Sequence, residues 1–195
     1  MRFISPPKAA HMSTSVVELI LNDHRELERL FEQLQTEPDK RPSLVPVMVA
    51  LLTAHSRAEE SEVYPVAAEA GIAEDVEHSQ KEHLEADQLA AEVADADFDS
   101  PDFGNKLDEL IKAVRHHVEE EESTVLAEMT KRLSDDLLGE LGHAFLASRE
   151  QHLGDMPDDI TRAEMAQQAA NAGLSGVSGK PKDELAADLK DAAEL

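Results

Sequence analysis

Two stretches of this 195-residue chain decide its fold: HSRAEESEV at positions 55–63 and HVEEEESTV at positions 117–125. In each stretch a glutamate follows a histidine by four positions. Residues with this spacing lie on the same face of an α-helix, so the two side chains of each pair can point at one target. The second stretch begins 62 positions after the first. The repeat therefore predicts two equivalent helices, each presenting one His-x-x-x-Glu pair.

The repeat extends to the segments that precede these pairs. DHREL at positions 23–27 resembles EHLEA at positions 82–86, which begins 59 positions later. Each half of the chain thus contains one histidine followed by one His-x-x-x-Glu pair. We interpret the halves as two copies of one helical hairpin, related by an approximate twofold axis.

Apolar residues at helical spacing, with capping residues before them, predict five helices over about 15–35, 43–64, 73–95, 101–133 and 135–152. The short connections predict antiparallel neighbours. We predict an all-α fold: an up-down-up-down four-helix bundle with an additional fifth helix and a small C-terminal helical appendage. The predicted divisions are a flexible N-terminal tail at 1–14, the helical bundle at 15–154 and a small helix–loop–helix module at 155–195.

Composition excludes several classes of function. The chain has no cysteine, which excludes disulfides, thiolate zinc sites and iron–sulfur clusters. Acidic residues outnumber basic ones 42 to 18, and the net charge of −24 argues against a nucleic-acid partner. The chain lacks both the run of about 18 apolar residues that a transmembrane helix needs and the apolar core of a signal peptide. We therefore expect no membrane association and a cytoplasmic location.

Histidines occupy the apolar faces of four predicted helices, where hydrophobic residues are expected. A single histidine on such a face is usually a hydrogen-bonded core residue. Here two glutamates share the same faces, and each would cost several kcal/mol to bury as an ion without a compensating cation. The set predicts a metal centre inside the bundle. The six predicted ligands are His24, His55, Glu59, His83, His117 and Glu121.

The same helical geometry sets aside other residues of these types. His78 and His116 fall outside the apolar faces of their helices. Glu60, Glu120 and Glu122 are predicted to be ordinary solvated charges on the helix surface.

The donor set narrows the choice of metal. Nitrogen and oxygen ligands without sulfur suit iron, manganese or zinc. Structural zinc is four-coordinate and closed, so it fits six ligands poorly, and no nucleophile or substrate cleft is evident for hydrolytic zinc. Paired motifs on facing helices are how bundles build dinuclear carboxylate sites. We predict two iron ions, joined by an oxo or hydroxo bridge.

At these residues the sequence resembles the hemerythrin-like family, also called the HHE cation-binding domain. The match is the order of His24, the pair at 55–59, His83 and the pair at 117–121 on successive helices, and it covers about residues 15–133. The resemblance implies a non-haem di-iron site in a left-handed bundle, with Glu59 and Glu121 bridging the irons and the histidines as terminal ligands. Members bind or sense dioxygen, handle nitric oxide or peroxide, or store iron.

The sequence departs from the family pattern at the third helix. Classical members carry two histidines there, one turn apart, whereas Ser79 and Asp87 stand one turn from His83. One iron would therefore lack a nitrogen ligand, and Asp87, Glu62, Tyr64 or water could supply a seventh ligand. An open coordination position on one iron favours redox chemistry over simple reversible oxygen carriage.

The C-terminal segment has its own resemblance. TRAEM at 161–165, a glycine loop and KDEL at 182–185 are similar to the helix–loop–helix module at the N-terminus of the terminator Rho and in SAP-like domains. Such modules often bind nucleic acid. Four basic and eight acidic residues in this segment favour a docking or tethering role instead.

Three functions fit the sequence. The first is a di-iron protein that binds dioxygen or nitric oxide for storage, sensing or scavenging. The second is a catalase- or peroxidase-like redox enzyme, in which the same site turns over peroxide or nitric oxide. The third is a purely structural bundle. Asp23, Glu82 and Tyr64 are the nearby proton donors, and the first two are also candidates for orienting the histidines.

Overall fold

The computed structural model describes residues 14–193, and this part of the chain is helical without strands. The predicted all-α class is confirmed. The helices are α1 (Val16–Thr36), α2 (Arg41–Ala58), α3 (Tyr64–Ala67), α4 (Ala73–Ala94), α5 (Phe103–Ser123), α6 (Val125–Arg132), α7 (Asp135–His152), α8 (Arg162–Asn171) and α9 (Lys182–Ala193). The predicted N-terminal tail lies outside the described residues except for Thr14.

The helices form the predicted bundle. Helix α1 packs against α2, and α4 packs against α5, so each hairpin of the sequence repeat is one side of the bundle. Helix α7 is the additional fifth helix and covers α1 and α2. Helices α8 and α9 pair with each other and pack on α4, where Leu185 and Leu189 share a small core with Leu84. The predicted boundary of a separate C-terminal module stays a prediction.

The core of the bundle contains two apolar clusters with a polar layer between them. On α1, Ile20 belongs to one cluster and Leu27 to the other, and His24 lies between them. On α5, Val114 belongs to the cluster of Leu27, while Val125, just beyond the end of α5, belongs to the cluster of Ile20. The polar layer is therefore enclosed by close-packed apolar side chains along the bundle axis.

The second helix differs from its prediction. The sequence predicts that it ends before Pro65, but the helical path continues through a π-helical turn at Glu59–Val63 and α3. It is then broken within Ala68–Ile72, where Gly71 adopts a left-handed conformation with φ of +87°. Pro65 has no N–H to donate to the regular hydrogen-bond pattern of an α-helix, and the wider π turn before it accommodates this. In this π turn the Tyr64 N–H bonds the Glu59 carbonyl, five residues back. Residues five apart are thereby brought toward one face.

The predicted fourth helix is also interrupted. It was expected to run from about 101 to 133, but it breaks at Thr124, whose φ and ψ are −113° and −83°. The Thr124 hydroxyl donates to the Glu120 carbonyl at 2.8 Å, and the chain restarts as α6. Among helices α1 to α9 none combines the length and apolarity that crossing a membrane requires.

Gly142 of α7 lies against the start of α1, and Gly142→Ala should destabilise the protein. An added Cβ would overlap the carbonyl oxygen of Thr14 and approach the Val16 backbone nitrogen to 3.2 Å. Overpacking against backbone costs about 1–3 kcal/mol, against a helix-propensity gain of about 1 kcal/mol for alanine. We expect a lower free energy of unfolding, measured by urea denaturation.

Gly104→Ala is the matched control, because a Cβ at this position in α5 meets nothing within 4 Å. Its stability should equal or exceed that of the parent. Equal stability of Gly142→Ala and Gly104→Ala would contradict the close approach of α7 to α1.

Candidate metal centre

The six predicted ligands come together in the polar layer of the bundle. We call them the central cluster: His24, His55, Glu59, His83, His117 and Glu121. All six are buried, with at most 5% of any residue exposed. Helix α1, the end of α2, α4 and α5 each supply members, so all four bundle helices contribute. That these residues bind a metal remains a prediction.

The central cluster divides into two half-sites that share both carboxylates. His24 and His55 form one half, with ring centroids 5.1 Å apart, and His83 and His117 form the other, at 4.5 Å. Glu59 Oε2 lies 3.2 Å from His55 Nε2 and 3.4 Å from His83 Nε2. Glu121 Oε2 lies 3.5 Å from His24 Nε2 and 3.9 Å from His117 Nε2. Each glutamate thus faces one histidine of each half, which is the geometry of a bridging ligand.

Several atoms of the central cluster are buried without a hydrogen-bond partner among the described residues. They include Nε2 of His24 and His55, both carboxylate oxygens of Glu59, and Oε2 of Glu121. Leaving a buried polar atom unpaired costs about 1–3 kcal/mol, so native proteins rarely do it. These atoms are the donors that a cation takes. The residues therefore fit a metal at this position.

The pKa shifts of Glu59 and His24 also favour a cation at this position. Burial raises the pKa of Glu59 well above its ordinary value, and the negative charge of Glu121 raises it further. Burial lowers the pKa of His24, and the neighbouring His55 and His117 lower it further. Glu59 is thus penalised as an anion and His24 is held neutral. A divalent cation would favour ionised glutamates and neutral imidazoles, which are the forms that bind metals.

Every histidine of the central cluster has a carboxylate behind it. The Nδ1-to-oxygen distances are 3.1 Å for His24 and Glu122, 3.4 Å for His55 and Asp23, 3.4 Å for His83 and Glu60, and 3.0 Å for His117 and Glu82. The contacts of His24, His83 and His117 are hydrogen bonds, whereas His55 and Asp23 only face each other. Because a carboxylate only accepts hydrogen bonds, Nδ1 of those three histidines carries the proton and Nε2 keeps its lone pair for the centre.

Two of these carboxylates were missed in the sequence. Asp23 and Glu82 were candidates for orienting histidines, but Glu60 and Glu122 were expected to be solvated charges, and that prediction is wrong. Glu60 is only 2% exposed, and Glu122 bonds both His24 and Arg25. The signal was present in the repeat, because each pair ends in Glu-Glu and the second glutamate reaches the lone histidine of the other hairpin.

Glu60 also ties the C-terminal helices to the centre. Gln168 of α8 donates to both Glu60 carboxylate oxygens, at 3.2 and 3.1 Å, and Asn171 donates to the Glu60 carbonyl at 2.9 Å. Burial raises the pKa of Glu60, but Arg57 and His83 outweigh burial and bring it to about 2. Glu60 is therefore an anion behind His83, held partly by α8.

Tyr64 is the candidate seventh ligand that the structure brings to the centre. Its side chain is fully buried, and its hydroxyl donates to Glu121 Oε1 at 3.1 Å and lies 3.1 Å from His83 Nε2. In a regular α-helix it would point away, but the π turn rotates it inward. Asp87 instead pairs with Arg57 at 3.0 Å, and Glu62 lines a surface groove.

Glu59→Gln should stabilise the metal-free protein although it removes a predicted ligand. Because burial raises the Glu59 pKa, the folded protein retains a proton that the unfolded chain releases above about pH 4.5. A group that binds more protons when folded makes the free energy of unfolding fall as pH rises. We expect a gain of about 1–3 kcal/mol near neutral pH, measured by urea denaturation.

The gain should widen as pH rises above about 4.5, the ordinary pKa of a glutamate, since only the parent carries the penalty. Glu119→Gln changes an exposed glutamate of α5 and should stay within about 0.5 kcal/mol of the parent. A Glu59→Gln variant that is less stable at every pH would refute the electrostatic origin.

Comparison with known proteins places this segment in a family. Residues 15–129 match the family described as Hemerythrin HHE cation binding domain. A DNA nickase from Nostoc sp. (strain PCC 7120) is 28% identical over 145 residues, covering 72% of this chain and 41% of that protein. The chain thus spans less than half of that relative. No solved structure matches this chain. Since the matched segment is more than half of the chain and contains the whole central cluster, the chain belongs to the hemerythrin HHE cation-binding domain family.

Proposed function

We propose that this chain is a non-haem di-iron protein that binds dioxygen or nitric oxide inside the bundle, for storage, sensing or scavenging. The observation that carries the proposal is the arrangement of two histidine pairs around two shared, buried carboxylates, with several ligand atoms unpaired. Two adjacent ions need shared ligands between them, and Glu59 and Glu121 are positioned to be those ligands.

The donor set favours iron over the other metals considered. Each half-site offers two imidazoles and shares two carboxylates with the other half. These are the ligand types that non-haem iron sites use, and they leave coordination positions open. The Tyr64 phenol adds a hard oxygen donor beside the second half-site. Two iron ions, when bound, would supply the open coordination positions and the electrons for small-ligand chemistry.

The surrounding residues limit what can reach the centre. Apolar clusters close the polar layer on both sides. The Phe145 ring of α7 packs against His55 in an edge-to-face arrangement, with ring centroids 6.0 Å apart. Bulk water and large substrates are thereby excluded. The proposed ligands are accordingly a small diatomic molecule or peroxide.

Protein produced with iron supplied should contain two iron ions per chain and change its visible spectrum when dioxygen or nitric oxide is added to the reduced form. His24→Ala and His117→Ala should each lower the iron content and abolish the metal-dependent rise in melting temperature. His143→Ala, at an exposed position of α7, is the matched control and should keep both. Zinc alone, or no metal, in iron-supplied parent protein would exclude the di-iron proposal.

The second candidate function is redox turnover of peroxide or nitric oxide, and Tyr64 is the observation that favours it. A buried phenol within 3.1 Å of both His83 Nε2 and Glu121 Oε1 can move a proton at the centre. Burial raises the Tyr64 pKa well above its ordinary value, and Glu121 raises it further, so the hydroxyl keeps its proton. A general acid of this kind contributes about 10²–10⁴ in rate.

Tyr64→Phe should separate the two functions, because it removes the hydroxyl and keeps the aromatic ring. If the protein turns over peroxide, the rate per iron should fall about tenfold or more, while iron content and nitric oxide binding persist. The measurements are dioxygen evolution from peroxide and iron content by elemental analysis. An unchanged peroxide rate in Tyr64→Phe would remove the tyrosine from the chemistry.

We do not propose DNA nicking for this chain. DNA nicking is the activity in the name of the Nostoc protein, and this chain covers only 41% of that protein. Binding DNA requires positive charges against the phosphates, and this chain carries a net charge of −24. The excess of acidic over basic residues in the C-terminal segment favours a docking or tethering role there instead.

A further inference from the structure

A second set of His-x-x-x-Glu pairs lies on the outside of the bundle. His78 and Glu82 form one pair on α4, and His116 and Glu120 form the other on α5. We call these four residues the outer cluster. The two histidine side chains are 58% and 61% exposed, and both fall outside the apolar faces of their helices. Because α4 and α5 pack side by side, the two pairs meet across the helix interface.

The donor atoms of the outer cluster converge. His78 Nε2 lies 2.8 Å from Glu120 Oε2 and 3.6 Å from Glu82 Oε1. His116 Nε2 lies 3.5 Å from Glu82 Oε1 and 3.6 Å from Glu120 Oε1. Ligands about 2.0–2.2 Å from a tetrahedral ion are about 3.4 Å from one another. The nitrogen-to-oxygen distances therefore bracket the spacing that one ion would impose, with small side-chain adjustments.

Glu82 supplies an independent sign of a ligand at this position. Its side chain is 10% exposed, and its Oε1 atom is buried without a hydrogen-bond partner in the described part of the chain. That atom faces both outer histidines. Three of the four residues, His78, Glu82 and Glu120, already offer atoms within 4.8 Å of one another. A cation here would satisfy an oxygen that is otherwise left unpaired.

We propose that the outer cluster is a second metal site, on the protein surface, for a divalent transition ion such as zinc, cobalt or ferrous iron. Two imidazoles and two carboxylates select these borderline ions, whereas magnesium and calcium require oxygen ligands. The site does not depend on the function proposed for the central cluster, because none of its four residues belongs to that cluster.

One residue links the two sites. Glu82 directs Oε1 toward the outer histidines and accepts a hydrogen bond from His117 Nδ1 at Oε2, with a distance of 3.0 Å. A cation bound at the outer cluster would thus bind the same carboxylate that orients His117 of the central cluster. The outer site lies one side chain away from the central cluster.

The test is zinc binding to the full chain, measured by equilibrium dialysis and isothermal titration. The parent should bind one more Zn²⁺ per chain than the double variant His78→Ala/His116→Ala, or bind that ion about tenfold or more tightly. His143→Ala, an exposed histidine on α7, is the matched control and should behave as the parent. Both altered residues are exposed, and circular dichroism verifies that the double variant folds.

Counting zinc as a difference between variants keeps this test separate from the di-iron proposal. If the central cluster does not take iron, the total number of bound metal ions per chain falls equally in the parent and in the variants. The difference in bound zinc between the parent and the double variant stays the same. Equal stoichiometry and affinity in the parent and the double variant would overturn the outer site. Displacement of the extra zinc by millimolar magnesium would also overturn it, because it would indicate attraction to an acidic surface only.

Discussion

Two carboxylates buried in the middle of a helical bundle are the constraint on which the rest of this structure depends. Glu59 and Glu121 are fully buried, and each faces one histidine from each half of the bundle. Without a cation such a pair opposes folding, because each anion loses its hydration and repels the other. The fold therefore gives up stability at this layer to hold a ligand set, and the apolar clusters on either side offset that loss.

The twofold repeat organises the layers around this centre. In each hairpin, the acid before the lone histidine backs the histidine of the same hairpin's pair, as Asp23 does for His55. The second glutamate of each pair backs the lone histidine of the opposite hairpin, as Glu60 does for His83. Each hairpin thus completes the other. Helix α8 joins this network through Gln168, which donates a hydrogen bond to Glu60, the carboxylate behind His83.

Much of this arrangement was predictable, because helical periodicity is a local property. Spacing of four residues and the apolar faces identified the helices and the six residues that the structure brings together. Sequence also predicted that Asp23 and Glu82 are near enough to orient histidines. It failed where the backbone leaves regular geometry: the π turn that rotates Tyr64 inward, and the break at Thr124. The π turn precedes Pro65, which cannot donate a backbone hydrogen bond, and the break at Thr124 is held by the bond of its hydroxyl to the Glu120 carbonyl.

The sequence by itself determined the helices, their pairing into two equivalent hairpins and the inward set of histidines and glutamates, since each follows from spacing along one helix. Only the tertiary structure decided which carboxylate lies behind which histidine, that Tyr64 reaches the centre, and that the outer histidine pairs meet across α4 and α5. Those relations join residues from different helices. Their distances are fixed by how the helices pack and by one wide turn, neither of which a repeat in the sequence specifies.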